Sequence, residues 1–467
     1  MSSSDTVFHL APQIFKSYDV RGLYPEELNS AGLACIVRAF AEHTAARRLV
    51  VARDVRASGP ALAAAAIAAL RALRVECLDI GTVSTDTFYY AVAALDCDGG
   101  FTISASHNPG NWNGLNFCRR GAEPVSLSSG LGHVRTRALE LAGQGWRPGP
   151  PRAALRSVDV LDDYADYVLG FIDPRLLRPS RIVAHGNCGL QVEMLQRVVH
   201  RGRLPLEIHP LYGVPDGSFP VPGGVPNPLL PENQGEFLAA VRQTGADLGV
   251  AWDADGDRCF FADETGYFIS GYFATAILAR SILASHPGAT VVIDPRNIWA
   301  TQETIARLGG RTVLSRAGMT IIPQAMREHN AEFAGEMSAH FYFRRNHNRD
   351  NGMIPLLLLL ELLGRENCRL SDLVRPLREH YFTSGELNFR PPDTASLVRH
   401  IESIFRDGRQ DHVDGLSVEY PEWRFNLRSS NTEPLLRLNV EARSQAALDT
   451  GLDRLLELLG APVGAGH

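Results

Sequence analysis

The chain has 467 residues with 46 basic and 52 acidic side chains, a net charge of −6, and is 45% hydrophobic and 21% charged. At roughly 150 residues per domain, that length predicts three or four domains rather than one core. The mild acidity argues against nucleic acid or an anionic membrane as partner. The seven cysteines contain no CxxC pair, which argues against a disulfide framework or zinc site and for a reducing cytosol.

No basic region followed by an apolar stretch opens the sequence, so no signal peptide is expected. The longest apolar run, residues 353–360, falls far short of the roughly 20 residues that span a membrane. The composition therefore predicts a cytoplasmic protein. All basic residues but Lys16 are arginine, which favours bidentate recognition of anions.

Short β-branched runs alternate with helical stretches through most of the length. Residues 49–52, 75–80 and 100–103 read as buried strands, with an Ala- and Leu-rich helix over 60–73. The pattern restarts at 181–184 and 248–252, and again at 290–293, 312–314 and 332–334. Such alternation predicts parallel sheets with right-handed crossovers. Residues 143–151 form a turn-rich linker, and 213–231 a long loop kept ordered by Phe219 and Val221. Beyond about residue 379 the texture changes: strands at 387–389, 418–420 and 436–440 accompany helices at 394–406 and 446–459. The expected organisation is α/β, with domains at 1–150, 151–260 and 261–378 and a smaller α+β domain at 379–467.

Four loops carry candidate chemistry. Ser106, followed by His107, Asn108 and Pro109, lies where an apolar strand stops, so its hydroxyl sits at a strand's carboxyl end, where open α/β sheets bind ligands. Asp253, Asp255 and Asp257 alternate around Gly256 just after a buried strand. Their hard oxygens suit Mg²⁺, or the loop is a solvated acidic turn; the spacing does not match an EF-hand. Glu336 and Ser338 end another strand and, in extended chain, point the same way, as gripping neighbouring sugar hydroxyls requires; His340 follows them. Arg428, Ser430, Asn431 and Thr432, with Arg437 beyond, form either a phosphate cradle or a hydroxyl-rich turn that binds nothing. Tyr18 and Arg21 precede Gly22 near the start of the chain.

With these loops in order, the chain resembles the α-D-phosphohexomutase superfamily nearly end to end, and most of all its bacterial phosphomannomutases. The resemblance implies four domains, three similar α/β units with mixed or parallel sheets and a C-terminal α+β unit, around a central active-site cleft. It implies that Ser106 is phosphorylated in the resting enzyme, with His107 and Arg21 as catalytic partners. It implies that Asp253, Asp255 and Asp257 hold Mg²⁺ together with the phosphoserine, and that Arg258 lies near the transferring phosphoryl group. Glu336, Ser338 and His340 are then expected at the sugar, Arg428, Ser430, Asn431, Thr432 and Arg437 at the other phosphate, and Tyr18 at the mouth.

The implied reaction interconverts mannose 6-phosphate and mannose 1-phosphate through a 1,6-bisphosphate, with glucose or mannose 1,6-bisphosphate as activator. The implied partner is a phosphohexose, and the implied assembly a monomer or weak homo-oligomer. Two positions depart from the family pattern: Asn116 stands where a lysine is usual, and Met319 where a histidine is. An amide takes no proton near neutral pH and a thioether binds no phosphate. Glu336 and Ser338 would grip hydroxyls that mannose and glucose share. The alternatives are therefore a phosphoglucomutase, a dual-specificity enzyme, or a weakly active phosphosugar-binding relative.

Overall fold

The structure, a computed structural model, describes residues 10–430 and 435–463. Among them lie four separate sheets, one of seven strands and three of five. In the first, Arg48–Arg53, Glu76–Thr82 and Gly99–Ile103 run parallel, and Trp112–Arg119 returns antiparallel against Gly99–Ile103. In the second, Ser180–His185, Leu206–Leu211 and Leu248–Trp252 are parallel, and Cys259–Asp263 returns against Leu248–Trp252. The third repeats the pattern with Thr290–Ile293, Arg311–Leu314 and Phe333–Gly335, closed by Phe341–Phe343.

One four-strand arrangement thus occurs three times. Each time the loop between the last parallel strand and its antiparallel return carries Ser106, the aspartate triad, or Glu336 and Ser338. The alternation of elements correctly suggests the parallel strands but not these returns, so the sheets are mixed rather than purely parallel. The fourth sheet is antiparallel throughout, in the order Phe382–Phe389, Leu436–Ala442, Trp423–Ser429, Leu416–Glu419, Arg409–Asp411.

Every residue of Gly99–Ile103 and of Leu248–Trp252 is buried, as expected of central strands covered on both faces. The second and third units share one hydrophobic cluster, which runs through the helices Gly271–Ser285 and Ile354–Glu366. Both helices are apolar nearly all round because both are wrapped by protein. The first and fourth units keep cores of their own. Local signals set the helix starts: Asn29 accepts from the Ala31 and Gly32 amides, and Ser270 from the Phe273 amide.

Two polar seams fix the units around the cleft. At the first, the buried Asp86 carboxylate accepts from the Tyr164 hydroxyl (2.7 Å), Gln191 Nε2 (2.9 Å) and the Gly352 amide (3.1 Å), tying the first unit to the next two. At the second, Arg424 donates to the carbonyls of Arg296 (2.7 Å) and Pro295 (2.8 Å), while Glu441 accepts from the Ile298 amide (2.9 Å) and the Tyr272 hydroxyl. Buried charges of this kind tolerate desolvation only when fully partnered, and so they specify one docking geometry.

Candidate active site

A single cavity of about 550 Å³ is lined by residues of all four units. Ser106 stands on the loop after Gly99–Ile103 with a left-handed backbone (φ 49°). That conformation is uncommon for a serine and survives only where the surroundings hold it. They do so here: the Ser106 amide donates to Ser104 Oγ (2.9 Å), and the buried Arg56 guanidinium donates to four loop carbonyls. These are Ser106 (2.6 Å), Asn108 (2.6 Å), Pro109 (2.6 Å) and Trp112 (3.2 Å). Arg56 is itself paired with buried Asp54 at 3.0 Å. Ser106 Oγ lies 3.1 Å from His107 Nδ1. Arg21 donates to Asp19 (2.7 Å) and to Asn108 Oδ1 (2.8 Å), which brings it to the same loop. Burial opposes the charge on Arg21, but its acidic surroundings, Asp19 foremost, together hold its pKa above the ordinary value.

The acidic loop turns at Gly256, whose φ of +78° an L side chain rarely adopts. Asp253, Asp255 and Asp257 are all buried and bring carboxylate oxygens within 4.8 Å of one another. Asp253 is paired with Arg258 Nε at 2.6 Å. Asp255 Oδ2 accepts from Thr85 Oγ1 at 2.8 Å, across the seam from the first unit. Asp255 Oδ1 and Asp257 Oδ1 are buried without a hydrogen-bond partner among the described residues. Burial, and then the charge of Asp253, push the Asp255 pKa up to about 7; burial and the charge of Asp255 push Asp257 well up. Orphaned oxygens and mutually raised carboxyls describe a donor set that fits a hard divalent cation.

The sugar-side loop departs from expectation in its local shape. Glu336 and Ser338 belong to a tight turn rather than to extended chain. The Ala339 amide donates to the Glu336 carbonyl (2.9 Å), the Glu336 amide to the His340 carbonyl (3.0 Å), and Ala339 is left-handed (φ 65°). Both side chains still reach the cavity, because the turn folds them round the strand end. Glu336 accepts from the Gly318 amide (2.8 Å) and the Tyr342 hydroxyl (2.9 Å), and His340 Nδ1 lies 3.0 Å from Ser338 Oγ. An antiparallel bridge between Arg258 and His340 stitches this loop to the acidic one.

At the fourth unit, Arg428 and Arg437 converge with Arg296 of the third on one buried carboxylate. Glu386 lies 3.4 Å from Arg428, 3.2 Å from Arg437 and 3.7 Å from Arg296. With Asp294 also paired to Arg296, three guanidiniums face two carboxylates, which still leaves an excess of positive charge suited to an anion. Ser430 lines the same wall, while Asn431 and Thr432 lie outside the described residues. Tyr18 also lines the cavity, its hydroxyl pushed up to about 12 by burial and then by Asp19.

Sequence reasoning missed Arg56, Thr85, Arg296 and Glu386. For two of them a signal exists: Asp54-Val55-Arg56 and Asp294-Pro295-Arg296 each follow the first parallel strand of a repeat. In both, the aspartate accepts from the arginine's own amide at 3.0 Å and pairs with its guanidinium.

A strand-end serine, a metal-fitting aspartate triad, a turn that presents a carboxylate and a hydroxyl, and a cluster of arginines, gathered from four units, suit phosphoryl chemistry on a polyol. The sequence matches the description "Phosphoglucomutase/phosphomannomutase" across its alpha/beta/alpha domains I (residues 12–129), II (162–266) and III (270–381) and its C-terminal domain (386–458). A Xanthomonas campestris pv. campestris protein named "Phosphohexose mutases" is 43% identical over 440 residues, 93% of this chain and 96% of that one. A Salmonella typhimurium "Phosphomannomutase" is 40% identical over 450 residues, 95% and 97% of the two chains. Among solved structures, a phosphoglucomutase/phosphomannomutase family protein from Burkholderia thailandensis has a TM-score of 0.85 at 29% identity, covering 98% of this chain and 99% of that one. The chain belongs to the phosphoglucomutase/phosphomannomutase family. Among the described residues, no helix is long and apolar enough to cross a membrane.

Proposed function

We propose that this chain is a Mg²⁺-dependent phosphomannomutase that interconverts mannose 6-phosphate and mannose 1-phosphate. The observation that carries the reading is the convergence on one cavity of Ser106, Asp255 and Asp257 of the aspartate triad, Glu336 with Ser338, and the arginine cradle. In this reading Ser106 carries the phosphoryl group, with Arg21 and His107 at its loop. Asp253, Asp255 and Asp257 would hold Mg²⁺, which when bound would supply positive charge for the phosphoryl oxygens. Glu336, Ser338 and His340 orient the sugar. Arg428, Ser430, Asn431, Thr432 and Arg437 bind the phosphate that is not being transferred.

Attack by the free sugar hydroxyl forms an oxygen–phosphorus bond and breaks the Ser106 Oγ–phosphorus bond. The attacking hydroxyl gives up its proton on the sugar side, where His340 is the imidazole, and His107 Nδ1, 3.1 Å from Oγ, returns one to the serine. The 1,6-bisphosphate then turns over and gives its other phosphate back to Ser106. Glucose or mannose 1,6-bisphosphate would prime the serine. We further propose a first domain at 1–150 and a fourth at 379–467, with the second and third meeting beyond the strand Cys259–Asp263 rather than at residue 260, and action in the cytoplasm as a monomer or weak homo-oligomer.

A second reading, dual specificity for mannose and glucose, is favoured by the sugar loop, since Glu336 and Ser338 suit hydroxyls that both sugars share. A coupled assay with mannose 1-phosphate and glucose 1-phosphate separates them. A kcat/KM at least about tenfold higher for mannose, close to 1.4 kcal/mol of discrimination, supports the first reading. Equal values support the second, and no turnover of either sugar overturns both.

A further inference from the structure

Asn116 and Met319, two residues of the cavity wall, are linked through one buried side chain, Arg349, which bonds the Met319 carbonyl directly and reaches Asn116 only through Tyr89. Arg349 is fully buried on the short strand Arg349–Asp350. Its guanidinium lies 3.7 Å from the Tyr89 ring centroid, and the Tyr89 hydroxyl accepts from Asn116 Nδ2 at 2.7 Å. On the other side, Arg349 Nη1 donates to the Met319 carbonyl at 3.0 Å. Its Nη2 lies 3.6 Å from Asp350, and neither Nε nor Nη2 has a hydrogen-bond partner among the described residues.

A desolvated guanidinium with spare donors is unfavourable for stability, so packing alone gives it no reason to be there. Its charge is nonetheless held: burial opposes it, but a guanidinium stays protonated and Asp350 stands beside it. A cation on a ring face in a dry interior is felt strongly beyond the ring. That ring ends at Asn116, a residue of the cavity wall.

We propose that Arg349 is a positioning residue that supplies, from behind Tyr89, the positive charge that Asn116 does not carry at the cavity wall, while fixing the Met319 loop opposite. Two functions of one region, a local charge and a held loop, thereby rest on a residue outside the cavity. The inference rests on the mutase reading above, since it assigns Arg349 a part in that reaction.

The test measures kcat and KM for mannose 1-phosphate in Arg349→Lys, Arg349→Met, Asn116→Lys and the double variant Asn116→Lys/Arg349→Met. Arg349→Met should lose about 100-fold in kcat with little change in KM, and Arg349→Lys distinctly less. Moving the charge forward in the double variant should recover at least about tenfold of that loss, a rescue that a purely structural role would not give. Asn116→Lys alone sets a second cation against Arg349 and should lose about tenfold. A double variant no better than Arg349→Met overturns the proposal. So does an Asn116→Lys enzyme as active as the wild type, a result that stands even where Arg349→Met fails to fold. A wild type silent in the assay overturns the mutase reading, and the inference with it. An active wild type without this pattern overturns the inference alone.

Discussion

Replacing Arg56 by methionine removes the group that holds the Ser106 loop in its left-handed conformation. The guanidinium donates to four loop carbonyls at 2.6, 2.6, 2.6 and 3.2 Å and pairs with Asp54 at 3.0 Å. Without it, Asp54 is left buried and uncompensated, a loss of about 3–5 kcal/mol, whereas the loop carbonyls border the cavity and can turn to water. The catalytic loss is separate. A loop free to move by about 1 Å costs roughly 100-fold in kcat, because in-line transfer depends on where Oγ stands. Asp54→Asn separates the two effects: it leaves the carbonyl clamp in place, so stability should fall while most of kcat survives. Chemical denaturation and the coupled mutase assay, run on both variants, read each term. An Arg56→Met enzyme that keeps kcat within about threefold would falsify the clamp, whatever its stability.

Thr85→Val removes the hydroxyl that orients Asp255 from the neighbouring unit. It should raise the Mg²⁺ concentration for half-maximal activity by about tenfold, read from a metal titration, with little change in the saturated rate. In metal-free protein the Asp255 pKa of about 7 lies above the unfolded value near 3.9, so the folded state binds the extra proton between those limits. Stability should therefore fall as pH rises from about 4 to 7, by on the order of 4 kcal/mol from this group, and Asp255→Asn should flatten the profile. Divalent cation should accordingly raise the melting temperature more at pH 8 than at pH 5.5; an equal rise at both would contradict the assignment. Glu386→Gln removes the carboxylate that Arg428 and Arg437 share with Arg296, while Arg296 keeps Asp294. It should lower the melting temperature in plain buffer by an amount that inorganic phosphate largely restores, and a variant blind to phosphate would count against the cradle.

The loops that carry chemistry were legible because each packs hydroxyls, carboxylates, glycine or proline directly after an apolar run. Ser106 after Gly99–Ile103 and Asp253 after Leu248–Trp252 show this plainly. The return strands were not. Trp112–Arg119 reads Trp-Asn-Gly-Leu-Asn-Phe-Cys-Arg, an alternation broken by Gly114, where an added Cβ would stand only 2.0 Å from the Val20 carbonyl oxygen. Glu336 and Ser338 were placed in the right cavity for the wrong local reason, since the left-handed Ala339 makes a turn that no residue type there announces. Arg56, Thr85, Glu386 and Arg349 act across long sequence separations, and in a chain whose cations are nearly all arginine no single arginine stands out. Only the fold says which of them is buried against a carboxylate and which merely solvates a surface.

The central claim is that Ser106 carries the phosphoryl group. Intact-mass measurement of the protein after incubation with glucose 1,6-bisphosphate and Mg²⁺ tests it most directly. The wild type should carry one phosphoryl adduct, absent from Ser106→Ala and discharged by mannose 6-phosphate. A wild type that stays unmodified, or a Ser106→Ala protein that carries the same adduct, would contradict it.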